Sequence, residues 1–402
     1  MNTDELQHHQ AKPALKTLLI LGIILIAANL RPAITSVGPV VRSIRTDLHL
    51  SNGVAGFITT LPLISFALIS PLAPKIAQKL SNELTLLLSL LILIFGICLR
   101  YIPTPATLFI GTALIGIGIA IANVLLPSLI KHKFPAKVGI MTSLYSTFMG
   151  CFAALASGIT VPLAQGLHLG WRKALFVWGI LVIIAIVIWL PQLRSRETFR
   201  RKVTTEGSNR SVWSSGIAWQ VTFFMGLQSF LFYSTIAWLP EILNSHGLSM
   251  TSAGWMLSIM QFISLPATFI TPIVADKMNN QITIVVGIGI FYMAGLLGLQ
   301  WGGNFILLTI WIFLIGLAQG ASISLALAMI GLRSENAKQA GDLSGMAQSA
   351  GYLLAAIGPI FIGFLFDQTN TWSLPIYMLI FVSIIMLIAG IGAGRNQYLF
   401  KK

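Results

Sequence analysis

The sequence predicts an all-α membrane protein of twelve transmembrane helices, arranged as two pseudo-symmetric six-helix halves. Three observations carry this. Of the 402 residues 56% are hydrophobic and only 9% charged, against about 25% charged in a soluble domain. The apolar residues come in unbroken runs, and about 20 helical residues cross a bilayer; strands of a membrane barrel would alternate instead. Finally, the second half of the chain repeats the first in register.

The spans run 16–42, 51–73, 83–102, 105–131, 138–165 and 171–193, then 213–241, 249–275, 280–301, 304–331, 338–366 and 371–394. The first reads LLILGIILIAANLRPAITSVGPVV and carries Arg31 at its centre. Pro32 follows it; a proline has no N–H and frees the carbonyl four residues back, on Ala28, so this span should kink. The fourth span carries Asn123, the fifth Tyr145, the seventh Gln228 and Phe232, the eighth Gln261, the tenth Gln319, and the eleventh Gln348 and Tyr352. The division that follows is an N-terminal half over 1–193, a connector over 194–212 and a C-terminal half over 213–402.

Charge orients the spans. The loops on one side hold Arg42, Arg45, Arg100, Arg172 and Lys173, and nearly all the rest of the 25 Lys and Arg lie on the side of the two termini. Positive loops stay inside, so both termini are expected in the cytoplasm of a cell bounded by this plasma membrane. The same placement disposes of a nucleic-acid reading of the net charge of +14, because the basic residues are loop residues rather than one patch. The partners expected are a lipid bilayer and a small-molecule solute, with no nucleic acid. The first apolar run is too long for a cleavable signal peptide. Asn209-Arg210-Ser211 matches a glycosylation pattern that a cytoplasmic loop cannot use.

The repeat is read from several spans. LIGIGIAIAN from Leu114 aligns with LIGLAQGASI from Leu314. Gly139, Thr142, Ala153 and Ala154 match Gly341, Ser344, Ala355 and Ala356, while Pro39 pairs with Pro240 and Pro71 with Pro272. Any one match between apolar helices is weak; the shared register makes the repeat. In that register Arg31 corresponds to Phe232, which predicts a fixed positive charge on one half and an aromatic wall on the other. A repeat-built site also makes a monomer the plain expectation.

A guanidinium at a helix centre costs about 2.5–3.5 kcal/mol on insertion scales, and such a charge is tolerated where it faces a bundle interior. Arg31 is therefore the leading substrate-binding candidate, for a small anionic or strongly polar solute. Its helical face would include Ala27, Ala28, Thr35 and Gly38, small enough to leave room for a ligand. The competing reading is that Arg31 only repairs the proline break by donating to nearby carbonyls. Asn123, Tyr145, Gln228, Phe232, Gln261, Gln319, Gln348 and Tyr352 could complete the binding shell or merely hydrogen-bond neighbouring helices.

None of the 11 acidic residues falls near a midplane, and no histidine does. The buried relay usual in proton-driven pumps is not visible. Three routes stay open: a facilitator or exchanger, coupling through peripheral groups such as Glu241, Asp276 and Asp342, or a proton carried by a weak-acid solute. There is no Walker loop, no H-E-x-x-H and no G-x-S-x-G. The expectation is a protein that is not an enzyme, with no cofactor and no metal. Cys98 and Cys151 give no disulfide framework.

Twelve spans, a repeat of six and a cytoplasmic middle loop resemble the major facilitator superfamily. Pro71-Leu72-Ala73-Pro74-Lys75 and Pro272-Ile273-Val274-Ala275-Asp276-Lys277 are degraded forms of its loop signature after spans two and eight; both lack its early glycine. The resemblance implies gating by Asp276 and Lys277. Within the superfamily, AANLRPAITSVGP (Ala27 to Pro39), IANVLLPSLIKHKFP (Ile121 to Pro135) and AGDLSGMAQSAGYLLAAIGP (Ala340 to Pro359) resemble the cyanate-permease and nitroimidazole-transporter branch. That implies an inner-membrane permease for a small anion or small polar compound, working by alternating access. The alternative is efflux of amphipathic drugs, which the aromatic residues permit and the fixed positive charge disfavours for cationic ones.

Overall fold

The computed structural model describes residues 13–50, 52–195 and 211–400. Residues 196–210 of the predicted connector lie outside them. The helices are α1 (Pro13–Asn29), α2 (Pro32–Thr35), α3 (Val41–Asp47), α4 (Asn52–Ile69), α5 (Ala73–Leu80), α6 (Asn82–Tyr101), α7 (Pro105–Lys133), α8 (Val138–Val161), α9 (Gly170–Phe176) and α10 (Trp178–Trp189). The second set is α11 (Gly216–Ser245), α12 (Met250–Lys277), α13 (Ile282–Trp301), α14 (Phe305–Leu332), α15 (Ala337–Thr369) and α16 (Ser373–Ala393). Eleven stretches are long and apolar enough to cross a membrane, and the bent pair α4–α5 makes twelve. The predicted spans and these helices coincide.

Local chemistry sets the ends. Side chains of Ser81, Thr104, Ser215, Ser249, Asn304 and Asn336 accept from the first-turn N–H groups of α6, α7, α11, α12, α14 and α15, filling donors that a helix start leaves unmet. Gly302, at φ +71, stops α13. Between caps, large apolar side chains such as Leu68, Phe95, Ile180, Phe262, Ile360 and Ile388 point outward and are exposed. An apolar surface of that extent belongs in lipid.

The repeat is visible in the packing. A Cβ on Gly96 would stand 2.7 Å from the Gly111 carbonyl and 2.9 Å from the Ile115 N. A Cβ on Gly295 would stand 2.9 Å from the Trp311 carbonyl and 3.2 Å from the Ile315 N. Likewise Gly116 abuts Pro62 and Ser65, and Gly316 abuts Met260 and Ile263. The same small residues let the same helices touch in both halves, the way spans associate where no hydrophobic force acts between them.

Two sequence expectations change. The first span breaks rather than kinks: α1 ends at Asn29 and α2 begins at Pro32. And the two stretches read as matching loops differ. The first is a bend of 55° between Thr60–Ile69 and α5, whereas Pro272 to Lys277 form the last turn and a half of α12. Beyond the membrane segments, Arg333 ties α13, α16 and the tail together. It donates to the Ala393 carbonyl (2.7 Å) and to Gln281 Oε1, and its own carbonyl accepts from the Leu399 N–H (3.0 Å). Burial pulls its pKa down to about 10, so it stays charged at neutral pH.

Candidate functional site

The first six spans meet the last six mainly at the end that carries the termini. Ser128 donates to the Ala337 carbonyl (2.8 Å), Ser349 to the Ala67 carbonyl (2.6 Å), and Ser143 to the Phe269 carbonyl. Gly139 lies against Pro272 and Asp276, and Gly345 against Ser70 and Pro74. Further from that end the seam narrows to Gly150 beside Leu265 and the Phe66 and Tyr352 rings, edge to face with centroids 4.8 Å apart. Helical spacing continues these faces to Ser157 on α8 and to Ser258 and Gly254 on α12. All three are exposed, and a Cβ on Gly254 would meet open space. The seam is shut on the terminal side and splayed on the other.

Arg31 sits where the seam opens. The break in the first span leaves it outside helical geometry, at φ −122 and ψ −39. Its Nη1 donates to the Tyr233 hydroxyl at 2.9 Å, and its Cζ lies 5.7 Å from the centroid of Phe232. Phe232 and Tyr233 are themselves edge to face, centroids 5.1 Å apart. A cation over an aromatic face contributes about 0.5–2 kcal/mol, more as water is excluded. The charge and the aromatic wall that the repeat pairs by sequence are thus neighbours in space.

Among the described residues the Arg31 side chain bonds across the seam to Tyr233 and to no carbonyl of its own helix. Around the break, Asn29 donates to the Leu25 and Leu181 carbonyls (2.8 and 3.2 Å), and Arg100 donates to the Ala33 carbonyl (2.8 Å). Thr35 lies 3.2 Å from both the Arg31 and Ala153 carbonyls. Because the helix breaks, the expected common face dissolves too: Ala27 and Ala28 are fully buried, while Gly38 is exposed.

Tyr352 joins the cluster, interacting electrostatically with Arg31, Tyr233 and Tyr145. Both Tyr145 and Tyr352 are buried, and the Tyr145 hydroxyl has no hydrogen-bond partner among the described residues. Gln348, one turn before Tyr352, donates to Ser344 (2.9 Å). Gln228 is satisfied within its own helix by the Met225 carbonyl and Ser229 (3.0 and 2.7 Å). Gln319 is buried with neither amide atom partnered, while Asn123 and Gln261 are half-buried. Among the described residues no hydrogen bond or ring contact joins Asn123, Gln228, Gln261 or Gln319 to the arginine cluster. The same residues hold no group of three His, Cys, Asp or Glu able to bind a metal.

At the closed end, Asp276 interacts with Lys131 of the first half, and Asp342 with Lys75 as well as with Lys338 of its own helix. The cations of both arms come from the first half and the acids from the second. Lys277 is exposed beside Asp276; the cation across the seam is Lys131. Sequence reading missed Tyr233, whose hydroxyl, next to Phe232 in an apolar helix, was a signal of the same kind as the glutamines. It also missed Phe66, which no polar group marks, and it assigned Arg100 to a loop although it is buried in the last turn of α6.

A family model described as Major Facilitator Superfamily matches residues 19–301 and 221–394. An "Uncharacterized transporter YycB" of Bacillus subtilis is 61% identical over 383 residues, 95% of each chain. A "2-nitroimidazole transporter" of Escherichia coli is 40% identical over 382 residues, 95% of this chain and 96% of that one. Among solved structures, the proton:xylose symporter XylE, bound to 6-bromo-6-deoxy-D-glucose, superposes with a TM-score of 0.77 over 95% of this chain and 97% of that one, at 13% identity. That likeness is one of fold.

Proposed function

Because this chain belongs to the Major Facilitator Superfamily, we propose that it carries a small anionic or strongly polar solute across the plasma membrane by alternating access, a cyanate-like anion or a nitroimidazole being representative. The single observation that carries the solute class is Arg31, a permanent cation in the seam whose one side-chain hydrogen-bond partner among the described residues is a neutral hydroxyl. A negative or electron-rich group of the solute completes its coordination, lying against Phe232 with Tyr233, Tyr352 and Tyr145 in reach. The nitroimidazole transporter from Escherichia coli supports a compact polar solute.

The rocking units are residues 1–193 and 213–402, joined by the connector over 194–212, and the site lies near the midplane between them. With both termini cytoplasmic, as the loop charges favour, the splayed side faces outward. One chain supplies every residue of the site, so a monomer suffices. Membranes of the inner, plasma type are the natural location for the loop pattern.

Reconstituted proteoliposomes test this. Saturable flux of 2-nitroimidazole or of a small anion such as nitrate or cyanate, above that of protein-free vesicles, is the expected result; flux equal to the protein-free control across the panel would overturn it. Solute-induced alkalinisation outside the vesicles would add proton coupling and eliminate a plain facilitator.

Electrostatic attraction between Asp276 and Lys131 across the seam helps hold the cytoplasmic side shut. An exposed pair of this kind contributes up to about 1 kcal/mol. Asp276→Asn should therefore slow turnover by up to about fivefold and leave solute affinity nearly unchanged. Unchanged transport rates in the same vesicles would refute the gating role.

A further inference from the structure

A second pair of arginines lies away from the solute site, at the outer end of the first half. Arg100, in the last turn of α6, is 4% exposed. Its Nη1 donates to the Ala33 carbonyl, but its Nε and Nη2 are buried with no partner. Arg172 of α9 spends its Nη2 on Asp47 (2.6 Å) and lies 5.2 Å over the Trp171 ring; its Nε is also buried and unpartnered. Trp171 donates to the same Asp47 oxygen (3.0 Å), so that carboxylate is already engaged.

Both arginines line one small cavity, closed by Ile97, Tyr101, Leu175 and Phe176. Its volume is about 10 Å³, close to what one water-sized sphere needs. No carboxylate is among its lining residues. A buried guanidinium with unmet donors is costly, and the cost is relieved by an opposite charge that accepts those hydrogen bonds. We propose that this cavity binds a small monatomic anion, chloride, between the free N–H groups of Arg100 and Arg172. A cavity this small favours a single-atom anion over polyatomic ones such as carboxylates and phosphate. Water could accept the same hydrogen bonds but would leave the Arg100 charge unbalanced.

The site is coupled to the first one by a short path. Arg100 holds the carbonyl of Ala33, two residues beyond Arg31, on the segment just after the helix break. Anion occupancy orders Arg100, and Arg100 anchors the segment that presents Arg31.

The test is thermal unfolding of the full-length protein in detergent, in sodium chloride against sodium gluconate at equal ionic strength. Wild type and Arg31→Ala should both gain about 2 °C or more, saturably, with halide. Arg100→Gln and Arg172→Gln should lose that gain. Arg172 reaches the surface, so Arg172→Gln carries the test if Arg100→Gln fails to fold. Equal unfolding temperatures in chloride and gluconate would overturn the proposal and leave water as the partner. A halide gain that persists in Arg172→Gln, or one that vanishes in Arg31→Ala, would overturn it as well, the latter by locating the ion at Arg31.

Discussion

Arg31→Ala is expected to lower kcat/KM for an anionic solute by roughly 30-fold to several thousandfold. Removing one partner of a buried, hydrogen-bonded charge pair costs about 2–5 kcal/mol, and each 1.4 kcal/mol is about a factor of ten. The loss should fall on affinity, since the guanidinium meets the solute in its bound state. Arg31→Lys keeps the charge but not the planar fork that can bond Tyr233 and a solute at once, so it should recover only part of the loss. Tyr233→Phe removes the hydroxyl that holds Nη1; a hydrogen bond to a charged group contributes about 1.5–3 kcal/mol, which sets an upper bound on its effect. Initial-rate flux measurements in proteoliposomes check all three. Flux in Arg31→Ala within twofold of wild type would remove Arg31 from the solute path.

Gly139→Val should have the second largest effect, and on conformation rather than affinity. A Cβ at this position would stand 2.6 Å from the Pro272 carbonyl and closer still to the Asp276 Cβ. The backbone across the seam cannot yield as a flexible side chain would, so the two halves must part at their closed end. Overpacking of this kind costs about 1–3 kcal/mol, paid only by the state in which that end is shut. The equilibrium should therefore move about 5- to 150-fold toward the state open on the terminal side. A single reporter, Gly254→Cys, in a chain with Cys98 and Cys151 replaced by serine, reads this directly. Gly254 is exposed on the splayed side; labelling by a membrane-impermeant maleimide should slow when Gly139→Val is added. An unchanged labelling rate would contradict the assignment of Gly139 to the closing seam.

The fold was almost wholly legible. Runs of apolar residues and the paired prolines mark the spans because bilayer thickness and backbone hydrogen bonding leave few alternatives. The repeat went further: aligning Arg31 with Phe232 paired two residues that do face each other. What remained hidden depends on rotation and on breaks. Gln228 and Tyr352 look equally polar in sequence, yet the amide of one bonds within its own turn and the other lies within electrostatic range of Arg31. Lys277 and Lys131 are both basic ends of spans, and only the inter-half register shows that Lys131 faces Asp276. Arg100 read as a loop charge because its helix ends one residue later; its inward turn toward Ala33 is a tertiary fact.

The central claim is that Arg31 anchors the solute, and ligand-dependent thermal stability of the purified protein tests it most directly, since a ligand stabilises only the state that binds it. Wild type and Arg31→Ala would be compared, in gluconate buffer, against cyanate, nitrate, short carboxylates and 2-nitroimidazole. At least one solute should stabilise the wild type and fail to stabilise Arg31→Ala. A solute that stabilises both equally would contradict it and move the binding site to the aromatic wall of Phe232 and Tyr233.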